Sequence, residues 1–251
     1  MRYIRLIRNL SNWWLHFAVK LGLTEKDPLI FRTWRGIVIE VPRRLLHEFK
    51  EIFMEETYTR ELALKVPENP TIIDIGANAG FFSLFAAFRY PCSKILAFEP
   101  IPANFKQLKR NKELNENVQM ECLQKAVFSH SGTVSLSYDP NDSFTTSASV
   151  IQGSDPRNNT IKVPCLTLPE IFDEYRLDRC DLLKMDCEGA EYEILYNCPG
   201  SYLRRISQMA LEVHGGNESN QNMSSLIDFL KSNDYKTRRY SAHMLSVWRR
   251  H

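Results

Sequence analysis

No two of the six cysteines, Cys92, Cys122, Cys165, Cys180, Cys187 and Cys198, stand in a C-x-x-C arrangement. That absence excludes the paired-knuckle zinc patterns and leaves reduced, mostly buried thiols as the reading. The chain also lacks an excess of one charge: 32 Lys+Arg face 30 Asp+Glu, a net charge of +2. A protein that tracks nucleic-acid phosphates concentrates far more positive charge, so no nucleic-acid partner is expected. A long hydrophobic run is missing too. The most apolar early stretch, Trp13 to Leu23, contains His16 and Lys20 and is too short to span a bilayer. No secretory leader precedes the sequons at Asn158 and Asn222, so they carry little weight and a cytoplasmic location is expected. The balance, 43% hydrophobic and 25% charged, is that of a soluble globular protein and excludes disordered and low-complexity chains. At 251 residues the chain makes one large domain or two small ones and needs no disulfides to bury a core.

What is present falls into two parts. Residues 1–50 read as an extension. Ile4, Ile7, Leu10, Trp14, Phe17 and Leu21 recur at helical spacing and predict one helix over residues 2–23. Arg2, Arg5 and Arg8 make its start basic, which suits either packing on the main body or contact with an anionic membrane surface or a partner. A strand at Gly36–Val41 follows, and then a mostly helical stretch from Glu48 to Leu64. Residues 51–251 read as the main domain. From Pro70 onward, short apolar runs alternate with helices: strands are predicted at Thr71–Ile75, Lys94–Phe98, Val118–Phe128, Asp181–Met185 and Met209–Val213. This alternation predicts an α/β fold with a mostly parallel sheet covered on both faces. Two further strands, Gly132–Tyr138 and Thr160–Leu166, flank a polar loop, Asp139–Arg157. Its length suits a functional segment that covers an acceptor.

In open parallel sheets ligands bind beyond the carboxyl ends of the strands. Here those ends carry Asp74 with the Gly76-Ala77-Asn78-Ala79-Gly80 turn, Glu99-Pro100, Asp186-Cys187-Glu188-Gly189-Ala190-Glu191, and Glu212-Val213-His214. The glycine turn permits close backbone approach but lacks the G-x-G-x-x-G and Gly-Lys-Ser/Thr patterns of pyrophosphate and triphosphate cradles. Glu99, 23 positions beyond Gly76, is placed to accept both hydroxyls of a ribose. A ribose acceptor without a pyrophosphate cradle points to S-adenosylmethionine, whose positive sulfonium suits an acid-rich pocket.

The motifs Asp74-Ile75-Gly76-Ala77-Asn78-Ala79-Gly80, Phe98-Glu99-Pro100 and Lys184-Met185-Asp186-Cys187-Glu188-Gly189-Ala190-Glu191, with Glu212-Val213-His214, resemble those of the FkbM-type methyltransferases. The resemblance runs from about Glu51 to the last strand. It implies a class I methyltransferase Rossmann-like fold with a seven-stranded sheet, S-adenosylmethionine as donor, and O-methylation of a sugar, a glycan or another small polyhydroxylated molecule. It also implies that Asp74, Gly76, Ala77, Asn78 and Gly80 line the methionine side of the cofactor. Glu99 and Pro100 would then lie at the ribose and Ala126 near the adenine.

Methyl transfer to a hydroxyl requires the acceptor oxygen, methyl and sulfur in line and removal of the hydroxyl proton. Asp186, Glu188 and His214 are the candidate catalytic groups, with His214 expected near the ordinary imidazole pKa of about 6.5. Glu188 and Glu191 also suit a plain capping role at the start of the next helix. A magnesium or manganese ion on Asp186 with Glu212 or His214 is a second way to activate the hydroxyl. RNA or protein methylation, and a catalytically silent nucleoside-binding fold, are the competing functions. The near-neutral charge and the absence of an N/D-P-P-Y/F stretch after the fourth strand weigh against RNA.

Overall fold

The apolar runs after Pro70 assemble into one seven-stranded sheet. The computed structural model describes residues 2–138, 144, 149–150, 159–216 and 218–249. The N-terminal part holds helices α1 (Arg2–Asn9) and α2 (Trp14–Lys20), a hairpin of β1 (Leu29–Arg32) and β2 (Val38–Val41), and α3 (Leu46–Lys50), which runs into a π-helical turn at Glu51–Glu55. Then come β3 (Thr71–Ile75), α4 (Phe81–Arg89), β4 (Lys94–Phe98), α5 (Pro102–Glu113) and β5 (Met120–Leu123). An inserted sheet uses β6 (Ala126–Val127), β7 (Gly132–Tyr138), β8 (Ser149–Val150) and β9 (Asn159–Leu166) in the order β6-β9-β7-β8. The chain closes with α6 (Leu168–Glu174), β10 (Leu182–Met185), α7 (Glu191–Tyr196), α8 (Gly200–Leu203), β11 (Gln208–Glu212), α9 (Met223–Ser232), β12 (Lys236–Arg239) and β13 (Met244–Trp248).

The main sheet runs β12-β13-β11-β10-β3-β4-β5. Its pairs from β11 to β5 are parallel, and β13 lies antiparallel to both β11 and β12. Strand order reverses between β3 and β10, so the crevice for a ligand opens beyond their carboxyl ends. Alternate strand residues feed two cores. Ile73, Ile75, Leu96, Phe98, Leu183 and Met185 pack under α6 and α7, whereas Ile72, Ile95, Ala97 and Leu182 pack with α4. Residues Phe81 to Phe88 are all buried, because the N-terminal part roofs α4. Phe49 meets Phe81 edge-on, Phe53 meets Phe85, and Tyr58 meets Phe82. The β1–β2 hairpin belongs to the same core through Phe31 and Ile39.

Side chains end or fasten several elements. Pro102 opens α5 where its missing N–H costs nothing, and Thr167 with Glu170 forms a capping box on α6. Along the free side of β2, Asn115 Oδ1 accepts from the Val38 N–H and Asn111 Oδ1 from the Glu40 N–H, both at 2.8 Å. Each amide also donates back, to the carbonyls of Val38 and Glu40.

Three expectations are corrected. The predicted helix over residues 2–23 is broken in two: Leu10 bridges to Thr33, the Ser11 N–H donates to the Arg32 carbonyl, and Asn12 bonds both Ile30 and Arg32. These lateral bonds to the hairpin replace the helical ones. The predicted strand Val118–Phe128 also divides. Its first half joins the main sheet, and Ala126–Val127 leaves it to pair with Cys165–Leu166. The helical stretch from Glu48 stops at Glu56, which sits at φ 55 and gathers Arg5, Arg8 and Asn9 of α1 around its carboxylate. Most of the Asp139–Arg157 loop lies outside the described residues. No helix among the described residues is long and apolar enough to cross a membrane.

Candidate active site

The turn after β3 is held against β4 by two backbone bonds, from the Gly76 and Ala77 N–H groups to the Phe98 carbonyl, at 3.0 and 2.9 Å. Gly76 takes φ 74, and a Cβ there would collide with the Asp186 carbonyl oxygen. Only glycine lets the turn close on the end of β10. Asn78, also left-handed at φ 50, turns its N–H onto Glu99 Oε2 at 2.8 Å, while the Ile101 N–H reaches Oε1 at 2.8 Å. Glu99 is 4% exposed. Burial pushes its carboxyl up to about 7, against the pull of those two N–H donors.

Two recesses meet at this edge of the sheet. The first is lined by Ile75, Gly76, Asn78, Glu99, Pro100 and Ala126, with Val127 and Leu136 of the inserted sheet as apolar wall. The second lies toward the N-terminal part and is bounded by Glu48, Glu51, Tyr58, Lys184 and Glu212. Gly76, Asn78, Asp186 and Glu188 belong to both. These four residues form the doorway between the recesses.

A chain of charged groups surrounds the doorway. Lys184, 3% exposed, donates to the Gly76 carbonyl at 2.6 Å and lies 3.3 Å from Asp74 Oδ1 and 3.7 Å from Asp186 Oδ2. Burial opposes its charge, but the Asp74 and Asp186 carboxylates outweigh that and hold the ammonium above its ordinary pKa. The Tyr58 hydroxyl lies 2.8 Å from Asp186 Oδ2 and 2.7 Å from Glu212 Oε2. A phenol has one proton, so it serves only one of these carboxylates at a time. Burial and the two neighbouring carboxylates push the phenol well above its ordinary pKa, which makes Tyr58 a hydrogen-bond donor and not a base.

His214 Nδ1 sits 3.0 Å from Glu191 Oε1, and Nε2 sits 3.6 Å from Glu188 Oε2. The bond to Glu191 raises the imidazole to about 9, burial notwithstanding. The expected ordinary value therefore does not hold, and His214 carries its proton at neutral pH. Glu188 is raised to about 7, chiefly by burial. Glu191 is fully buried and also accepts the Cys187 N–H at 3.2 Å. It ties down the turn before α7 and grips His214 at once. Asp186, Glu212 and His214 offer ligand atoms that all lie within 4.8 Å of one another. A metal there would compete with the histidine proton and with Tyr58.

Of the residues singled out in the sequence, Gly76, Asn78, Glu99, Pro100, Ala126, Asp186 and Glu188 line the recesses, and Ala77 borders the second. Asp74, Gly80 and His214 border neither. Asp74 is buried between Lys184 and Ser83, and Gly80 starts α4 against Leu108. Tyr58 and the carboxylates of Glu48 and Glu51 escape sequence reasoning, because a helix outside the sheet and the turn that follows it supply them. Lys184 stands inside the quoted motif without showing its role.

A seven-stranded α/β sheet with an acidic doorway at its switch point defines the class I methyltransferase fold. The profile of the methyltransferase FkbM domain matches residues 74–237, and the chain belongs to that family. It is 32% identical to methyltransferase sdnD of Sordaria araneosa over 191 residues, covering 65% of this chain and 73% of that one. It is 24% identical to the 31-O-demethyl-FK506 methyltransferase FkbM of Streptomyces tacrolimicus, covering 66% of this chain and 73% of the relative. The fold matches the crystal structure of methyltransferase FkbM from Methylobacillus flagellatus at a TM-score of 0.51 and 14% identity, over 81% of this chain and 53% of that one. The protein is a methyltransferase.

Proposed function

We propose that the protein transfers a methyl group from S-adenosylmethionine to a hydroxyl oxygen of a sugar, glycan or other small polyhydroxylated molecule. The observation that carries this reading is the doorway: Gly76, Asn78, Asp186 and Glu188 are shared by a partly apolar recess and an acidic one. The first suits the nucleoside. Glu99 faces it as a buried acceptor for a diol, and Asn78 Oδ1 is buried without a partner. S-adenosylmethionine, held there, supplies an electrophilic methyl on a cationic sulfur. The second recess holds carboxylates that accept hydrogen bonds from a polyol. Asp186 takes the bond of the attacking hydroxyl, Tyr58 and Lys184 fix its carboxylate, and the charged His214 steadies Glu188. One relative is named for an O-demethyl acceptor, which supports oxygen as the receiving atom.

The protein incubated with methyl-labelled S-adenosylmethionine and a host extract should yield a labelled small molecule in mass spectrometry. Label recovered only in RNA or protein would replace the acceptor class, and failure to bind S-adenosylhomocysteine would mean a silent fold. The metal alternative predicts activity lost in EDTA and restored by magnesium or manganese, whereas full activity in EDTA leaves Asp186 acting directly.

The Glu99 carboxyl gives a second test. Its pKa of about 7 means that ribose binding, which needs the carboxylate, expels a proton below neutrality. S-adenosylhomocysteine affinity should therefore weaken by up to about tenfold for each pH unit below 7. Glu99→Gln should flatten that dependence. Glu99→Ala should cost about 1.5–3 kcal/mol for each lost bond, at least a tenfold weakening by calorimetry. Unchanged affinity in a folded variant would remove Glu99 from the ribose.

A further inference from the structure

Among the described residues, the large apolar side chains left exposed are Ile4, Ile7, Trp14, Leu21, Leu23 and Trp34. All belong to the N-terminal part. Over residues 1–35 Lys and Arg outnumber Asp and Glu seven to two, an excess of five against a net charge of +2 for the whole chain, so positive charge concentrates where the apolar surface is bare. Ile4 and Ile7 share the outer face of α1, and the Trp34 indole N–H donates to the Ile7 carbonyl at 2.8 Å, which sets the ring beside them. Trp14 opens α2 and Leu21 is its C-cap, seven residues on and so on the same side.

Between α1, α2 and α3 lies a third recess of about 430 Å³, framed by Arg2, Lys20, Lys50, His16 and His47, with Glu55 as its one carboxylate. Arg5 and Arg8 turn away to Glu56, whereas Arg2, Lys20 and Lys50 converge. Their joint effect is visible on His16, held below its ordinary pKa by burial and then by Lys50, Lys20 and Arg2. Single exposed apolar residues are normal on a protein surface, but a cluster confined to one cationic segment marks an interaction site. Basic residues interleaved with exposed Trp, Leu and Ile suit the headgroup boundary of a bilayer, where cations meet phosphates and apolar side chains enter the acyl edge.

We propose that the N-terminal helices seat this methyltransferase on an anionic lipid surface, with the Arg2–Lys20–Lys50 recess taking a phosphate-bearing headgroup. The site is separate from the acidic doorway. The helix at residues 46–55 divides them, giving Glu48 and Glu51 to the acidic recess and His47, Lys50 and Met54 to the basic one.

The test is co-sedimentation of the full chain with vesicles of phosphatidylcholine alone and of equimolar phosphatidylcholine and phosphatidylserine. Binding only to the mixed vesicles, weakening with added salt, is expected. Lys20→Glu and Lys50→Glu should each lower partitioning by about fivefold or more. Leu21→Ser combined with Leu23→Ser should lower it as well, while melting temperature and S-adenosylhomocysteine affinity stay unchanged. Equal binding to both vesicles, or variants that bind like the parent, would overturn the proposal. So would a stable dimer that the leucine variants dissolve, since the face would then belong to a second copy. Thermal stabilisation by inorganic phosphate without any vesicle binding would make the recess a soluble-anion site and equally overturn it.

Discussion

Asp186→Asn is expected to lower turnover about 10²–10⁴-fold, the span for a positioned acid or base, while S-adenosylhomocysteine affinity stays within a few-fold. The substitution keeps the shape of the side chain and the reach to Tyr58. It removes the negative charge that faces Lys184 at 3.7 Å and that an attacking hydroxyl needs as its acceptor. Single-turnover rates measured beside calorimetric affinities separate the two effects. Tyr58→Phe should cost less, because it removes a donor that aims Asp186 and Glu212 but leaves both carboxylates in place. His214 gives the matching pH signature. With its imidazole raised to about 9, the charge it holds beside Glu188 and Glu191 persists through neutral pH and is lost as pH rises through 9. The stability it contributes is full below the unfolded value of about 6.5 and is lost as pH rises from there through 9. The pH–rate profile should therefore lose activity on the alkaline side near 9, and His214→Gln should remove that limb. A parental rate in Asp186→Asn would show that the proton leaves by another route.

Lys184→Met should destabilise the fold by about 3–5 kcal/mol, the cost of stranding a buried charge, and lower the melting temperature by about 10 °C. The lysine and Asp74 are direct neighbours on β10 and β3, with side chains 4% and 0% exposed. Without the ammonium, the Asp74 carboxylate keeps only the Ser83 hydroxyl, at 2.7 Å. The Gly76 carbonyl loses its 2.6 Å donor too, so the glycine turn should loosen and cofactor affinity fall with stability. Adding Asp74→Asn to Lys184→Met should recover much of the melting temperature, because the stranded charge is then gone. A loss below about 1 kcal/mol in chemical denaturation would show that water or another cation reaches Asp74.

The parts of this architecture legible in the sequence are those written in periodicity and strand-end chemistry. The runs Thr71–Ile75, Lys94–Phe98, Asp181–Met185 and Met209–Val213 are apolar because helices cover both faces, and each ends in a turn with an acidic residue or glycine. The sheet and most of its ligand-facing edge follow from that pattern. The break at Leu10–Trp13 is not legible, because helical spacing continues through it and the bonds that stop the helix come from Asn12 and a hairpin twenty residues away. The end of β5 is hidden for a similar reason, since Met120 to Val127 is one β-forming run shared between two sheets. Tyr58 carries no local signal at all. It reaches Asp186 and Glu212 only once the π-helical turn and Glu56 redirect the chain toward the sheet. The imidazole pKa is hidden because it depends on Glu191, which helical logic reads as a cap and which instead bonds His214 and the Cys187 N–H of the preceding turn.

The two asparagines beside β2 do more than fasten a helix. Residues 38 and 40 of a strand repeat every ~6.7 Å, and residues 111 and 115 of a helix repeat every ~6 Å, so two carboxamides can answer two successive peptide groups. Asn111 and Asn115 thereby act as a counterfeit strand, presenting one donor and one acceptor where a neighbouring chain would present its own. The hairpin's outer border is thus closed to recruitment by other molecules through its own peptide groups, which the two carboxamides occupy. The N-terminal part can then turn its apolar and cationic surface outward while its one available β-edge stays sealed.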